Sequence, residues 1–162
     1  MLSFITPRTA AVAALGVVVL AAAHMAAQST MSQTTYNSTR GVALDGYDVV
    51  AYFTEGRPVQ GTPAFTHTWE QTTWRFASAA RRDAFAAAPG KYAPRFGGFC
   101  AYGVSRGYAV DIDPNAWTVV DGRLYLNYSK SVQRTWDTDR ATFIRRAEAN
   151  WPAIAAKQAG KE

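Results

Sequence analysis

The sequence predicts an α+β domain, a small antiparallel sheet built from hairpins and packed against helices, ending in a C-terminal hairpin and a helical extension. Three observations predict it. Large and polar residues alternate over 65–69 and again over 74–76, the period of half-buried strands. Asp121-Gly122, a dipeptide that accepts positive φ at both turn positions, separates the β-branched and aromatic runs 117–120 and 123–127. Val132 and Trp136, then Phe143, Ile144, Ala147 and Trp151, recur at helical spacing, with Pro152 marking the expected stop.

Taken in order, the first segment after Gly41 turns at Asp45-Gly46 and enters a β-branched and aromatic run, 49–53, which reads as a strand broken by Gly56 and Pro58. The hairpin of 65–69 and 74–76 follows, with Phe65, His67 and Trp69 on one face. Ser78 is placed to cap a helix over 79–88, anchored by Phe85 and ended by Pro89-Gly90. Gly97-Gly98 permits a tight turn into Phe99-Cys100-Ala101-Tyr102, read as a short strand with Cys100 and Tyr102 sharing a face. Asp111 and Asp113 suit a turn better than a calcium loop, because no third carboxylate follows at the required spacing. After the Asp121-Gly122 hairpin, residues 127–129 cap one helix and Asp139 opens a second.

The N-terminus has the layout of an export signal: Arg8, an apolar run over 9–23, then small residues around Ala23 and Ala27. The run is shorter than the roughly 20 residues a spanning helix needs, so no permanent membrane anchor is expected. The resulting division is a signal peptide over 1–27, a flexible polar lead over 28–40, one domain over 41–152 and a tail over 153–162. A periplasmic or secreted location follows. The net charge of +5 is spread among scattered arginines with no clustered basic face, which excludes nucleic acid as the expected partner.

Cys100 is the single cysteine, so no internal disulfide closes and the fold rests on packing. An unpaired cysteine in an exported chain is buried, metal-bound, joined to another molecule, or reactive. His67 is the one histidine within the expected domain, which excludes multi-histidine metal sites.

The run Trp74-Arg75-Phe76-Ala77-Ser78, followed by Phe85, Pro89 and Tyr92, resembles the YHS domain. More closely, 41–152 resembles the exported YHS-domain proteins, some of them selenoproteins, through GYDVVAYF, YAPRFGGFCAY, DPNAWTVVDGRLYLNY and a closing NWP. The resemblance implies a YHS-like core of sheet and helices. It lays the broader domain's metal-linked cysteines on Ala51, Ala77 and Arg81, which supply no thiolate. It also lays Cys100 where related chains carry selenocysteine.

Three functions are open at this stage, and binding is favoured over catalysis. Cys100 with His67 can hold a soft metal ion, copper or zinc. Cys100 can act as the nucleophile of a thiol oxidoreductase. The chain can also be a structural or interaction module whose cysteine is merely buried. For either active reading the expected pocket gathers Cys100 and Tyr102 with Tyr47, Asp48, His67 and Tyr128, around a metal ion or a small molecule; the oligomeric state stays open.

Overall fold

The computed structural model describes residues 36–160. The expected signal peptide and the lead as far as residue 35 lie outside the described residues. Within them the chain is α+β, with two small sheets and six helices.

The first sheet has the order β1-β2-β4-β3, from β1 (Ser38–Thr39), β2 (Val42–Ala43), β3 (Thr62–Trp69) and β4 (Thr72–Phe76). β3 and β4 form the expected antiparallel hairpin, with His67 opposite Trp74 and an irregularity between Thr62 and Thr66. β2 runs parallel to β4 through Val42 and Thr73, so the sheet is mixed and not wholly antiparallel as expected. The polar lead also ends earlier than residue 40. Tyr36 is buried against Trp69 and Trp74, and 38–39 belong to the sheet.

The strand expected over 49–53 is instead a helical turn, α1 (Ala51–Thr54). Asp48 decides this. Its Oδ1 accepts from the Val50 N–H at 3.0 Å, and its backbone oxygen accepts from the Ala51 N–H at 3.2 Å, which bends the chain at the point where β-propensity would extend it. Burial then rewards the turn, because Val49, Val50, Ala51 and Tyr52 are all enclosed.

Ser78 caps α2 (Ala79–Ala87) by accepting from the Arg81 N–H, and Phe85 is its buried anchor against Trp74 and Phe76. A short α3 (Pro89–Tyr92) leads to a tight turn in which Phe96, Gly97 and Gly98 all have positive φ. At Gly98 a Cβ would stand 2.7 Å from a Leu44 methyl, so bulk as well as conformation demands glycine.

The strand expected at 99–102 is also absent. Cys100 is the N-cap of α4 (Ala101–Ser105), while its own backbone makes one strand-like bridge to Leu126. Beyond it, β5 (Asp113–Val120) and β6 (Arg123–Asn127) pair through the expected hairpin, with φ of 50° at Asp121 and 70° at Gly122. β6 is buried on both faces: Leu124 and Leu126 join the apolar cluster of Trp74 and Phe85, and Tyr125 joins a second cluster with Trp136, Ala147 and Ile154.

Ser129 caps α5 (Lys130–Asp137), and Asp139 caps α6 (Arg140–Ala159). Pro152 lies inside α6 and does not end it, so the expected tail over 153–162 continues the helix as far as Ala159. Proline removes one helical N–H and crowds the preceding turn. Packing offsets that cost here, since Trp151 meets Phe96 and Phe99, and Ile154 is buried one turn later. Among the described residues no helix is long and apolar enough to cross a membrane.

Asp48 is fully enclosed. Its Oδ2 accepts from the Ala77 N–H at 2.9 Å and from the Arg81 guanidinium at 3.3 Å, and Arg81 in turn pairs with Glu55. We expect Asp48→Ala to lower unfolding free energy in urea by about 3 kcal/mol, because it leaves the buried Val50 and Ala77 N–H groups without their acceptor and removes one of the two carboxylates that hold the half-buried Arg81. Glu55→Gln, at the solvated end of the same network, should cost under about 1 kcal/mol. Equal losses would contradict the assignment of Asp48 as the anchor.

Candidate functional site

Cys100 is buried at the junction of α4 and β6. The chain is brought there by two tethers. The Cys100 N–H donates to the Val110 oxygen at 3.1 Å, and the Asn127 amide oxygen, at the end of β6, accepts from the Tyr102 N–H at 3.3 Å. That same oxygen is the acceptor for the Cys100 thiol at 3.8 Å, and Sγ accepts from the Gly103 N–H at 3.4 Å. Space at Gly103 is tight: a Cβ there would lie 3.1 Å from Val110 Cγ2 and 3.2 Å from the Tyr108 backbone oxygen.

A pocket of about 230 Å³ opens beside the sulfur, walled by Cys100, Tyr102, Gly103, Tyr108, Val110, Tyr128 and Val132. Tyr108 and Tyr128 stand at its rim, 50% and 59% exposed, as the only large exposed hydrophobic side chains among the described residues. The walls are aromatic and branched aliphatic. A cavity of about 150 Å³ with such walls admits benzene, so the space suits a single ring or a short branched chain.

Burial pushes the Cys100 thiol up from its ordinary value, and the backbone N–H groups of Gly103, Tyr128 and Tyr102 pull it down by less. The thiol form therefore dominates at neutral pH. The Asn127 side chain is wholly buried, and with its oxygen committed to Tyr102 and Cys100 its Nδ2 has no hydrogen-bond partner. Such an orphan donor costs about 1–3 kcal/mol, which a fold tolerates only where something else is gained.

Of the residues expected around Cys100, Tyr102 and Tyr128 do line the pocket. Tyr102 does so from the first turn of a helix, not from the strand face that the alternation suggested. Tyr47, Asp48 and His67 are not in its walls. Asp48 is spent on Val50, Ala77 and Arg81; Tyr47 bridges to Gln60; His67 keeps to β3, its ring edge-on to Phe85 at 6.0 Å. The pairing of His67 with Cys100 is thus replaced by an aromatic contact, because the inward face of β3 is covered by α2. Sequence reading missed Tyr108, Val110, Val132 and Asn127. The Leu126-Asn127-Tyr128 run was the available signal, since an asparagine closing a fully buried strand must spend its amide on nearby backbone.

Nor do the described residues contain a group of three or more His, Cys, Asp or Glu side chains placed to share a metal ion. No protein-family model, curated protein or solved structure matches this chain.

The raised thiol has a consequence for stability. Because the folded chain keeps its proton where the unfolded chain, near 8.5 or so, has lost it, this contribution is fully present below the unfolded value. It disappears as pH rises through the folded one. An NMR titration of ¹³Cβ-labelled Cys100 should therefore give a midpoint above that of the urea-unfolded chain; a midpoint below it would reveal an activated thiolate.

Proposed function

We propose that this chain is an exported, YHS-like binding protein that holds a small, mainly apolar ligand against Cys100. The observation that carries this reading is the pocket itself: about 230 Å³, with the one sulfur at its base and two exposed tyrosines at its mouth. Tyr108 and Tyr128 give the opening an apolar rim, as ligand pockets have.

The copper or zinc reading loses support from the donor set. Cys100 has a carboxamide and backbone N–H groups about it, and His67 is engaged elsewhere. A soft-metal site wants several thiolate or imidazole ligands around one point. The oxidoreductase reading is disfavoured for a separate reason: burial holds the sulfur as a thiol, whereas the attacking species is the thiolate.

The test uses a neutral monocyclic probe, p-cresol, and a small thiol reagent. Saturating p-cresol should slow modification of Cys100 several-fold, and Val132→Trp, which fills the cavity from α5, should abolish that protection while leaving the chain folded. Unchanged modification rates with p-cresol present would overturn the proposal.

A further inference from the structure

A larger cleft lies elsewhere on the fold and has the opposite character. It encloses about 400 Å³ between the 89–97 segment, the tip of the β5–β6 hairpin, β3 and α6. Its walls supply three cations, Lys91, Arg95 and Arg123, and four aromatic surfaces, Tyr36, Trp69, Phe96 and Trp151.

Two of the cations share one carboxylate. Glu148 is the shared carboxylate, 3.2 Å from Arg95 Nη2 and 3.9 Å from Arg123 Nη1. Lys91 has no carboxylate at salt-bridge distance among the described residues; its ammonium stands over the Tyr92 ring at 5.1 Å. Arg95 carries a further sign of incompleteness. Its guanidinium lies over the Phe96 ring at 5.6 Å, and its Nε is buried with no hydrogen-bond partner. A guanidinium presents five N–H donors in a fixed fork that matches carboxylate or phosphate oxygens.

The backbone that presents Arg95 is held in an uncommon conformation. Phe96, a non-glycine residue, has a φ of 55°, followed by Gly97 at 59°, and the turn is pinned by the Asn37 N–H donating to the Gly97 oxygen at 2.7 Å. Left-handed backbone at a bulky residue persists only where its surroundings enforce it. Here that strain sets the Phe96 ring under the guanidinium and against Trp151.

We propose that this cleft is a second ligand site, for an aromatic or heteroaromatic anion whose ring lies between the tryptophan surfaces and whose charged group meets Arg95, Arg123 and Lys91. The volume is ample for a bicyclic ring with a short acidic arm. Both halves of the ligand contribute: the charged group adds a counter-ion to cations of which two share the Glu148 carboxylate, and the ring covers the aromatic walls.

Binding to the intact chain is measured by calorimetry with four probes: indole-3-acetate, indole-3-ethanol, an indolyl phosphate and inorganic phosphate. The first and third should bind; the uncharged alcohol should be about tenfold weaker or worse, and inorganic phosphate weaker still. Whichever acid binds more tightly identifies the head group as carboxylate or phosphate. Arg95→Gln should reduce affinity for the acids about tenfold with little effect on the alcohol, while Trp151→Leu should weaken all the indoles. Lys91→Gln, a change at an exposed side chain, tests the charge requirement where Arg95→Gln fails to fold. Equal affinity for indole-3-acetate and indole-3-ethanol, no binding of any indole, or acid affinity indifferent to both Arg95→Gln and Lys91→Gln would overturn the proposal.

Discussion

The buried carboxylate of Asp48 is the constraint from which the rest of the structure can be traced. It turns the chain into α1, fastens that turn to the β4–α2 junction through the Ala77 N–H, and fixes Arg81 on the first turn of α2. α1 then delivers Tyr52 to the core, where its hydroxyl donates to the Pro114 oxygen at 2.9 Å and its ring packs edge-on against Trp117. Both partners belong to β5, β5 pairs with β6, and β6 ends in the Asn127 amide that seats Cys100. A carboxylate in the first half of the domain is thereby linked to a thiol in the second through successive hydrogen bonds, one ring contact and one strand pair. With no disulfide available, this chain of polar contacts inside an apolar core takes the part of a covalent cross-link in fixing register.

Much of the scaffold was legible because it depended on local chemistry. Asp121-Gly122 dictates its own turn, and Ser78, Ser129 and Asp139 each satisfy a helix N–H regardless of what lies beyond. What was not legible depended on contacts distant in sequence. Residues 49–53 have strand composition but become helical because Asp48 bonds to their backbone. Cys100 and Tyr102 alternate like a strand, yet the Asn127 oxygen captures the Tyr102 N–H and a helix starts instead. Pro152 has the form of a stop signal and is overridden by the packing of Trp151 and Ile154. The candidate site was half legible for the same reason. Tyr102 and Tyr128 are close to Cys100 or Asn127 along the chain, whereas His67 was linked to Cys100 only by chemical suitability, and Phe85 occupies the face that the pairing needed.

Of the positions that the YHS resemblance matches to metal-linked cysteines, Ala77 lends its N–H and Arg81 its guanidinium to one carboxylate, Asp48. A charge-paired, hydrogen-bonded cluster is a self-sufficient way to hold these segments together. The Cys100 pocket is walled by aromatic and aliphatic side chains, while the Arg95 cleft sets cations beside aromatic walls. Two pockets of opposite character make the two proposals selective: under them neutral rings go to the sulfur and aromatic acids to the guanidinium.

Crystals of the protein soaked with a mixed set of neutral and acidic fragments test the central claim, that the Cys100 pocket is a built ligand site, most directly. The account predicts density for neutral single-ring fragments in contact with Sγ, flanked by Tyr108 and Tyr128. Tyr108 and Tyr128 folded over Cys100 with the space closed, and neutral fragments found only elsewhere on the surface, would contradict it.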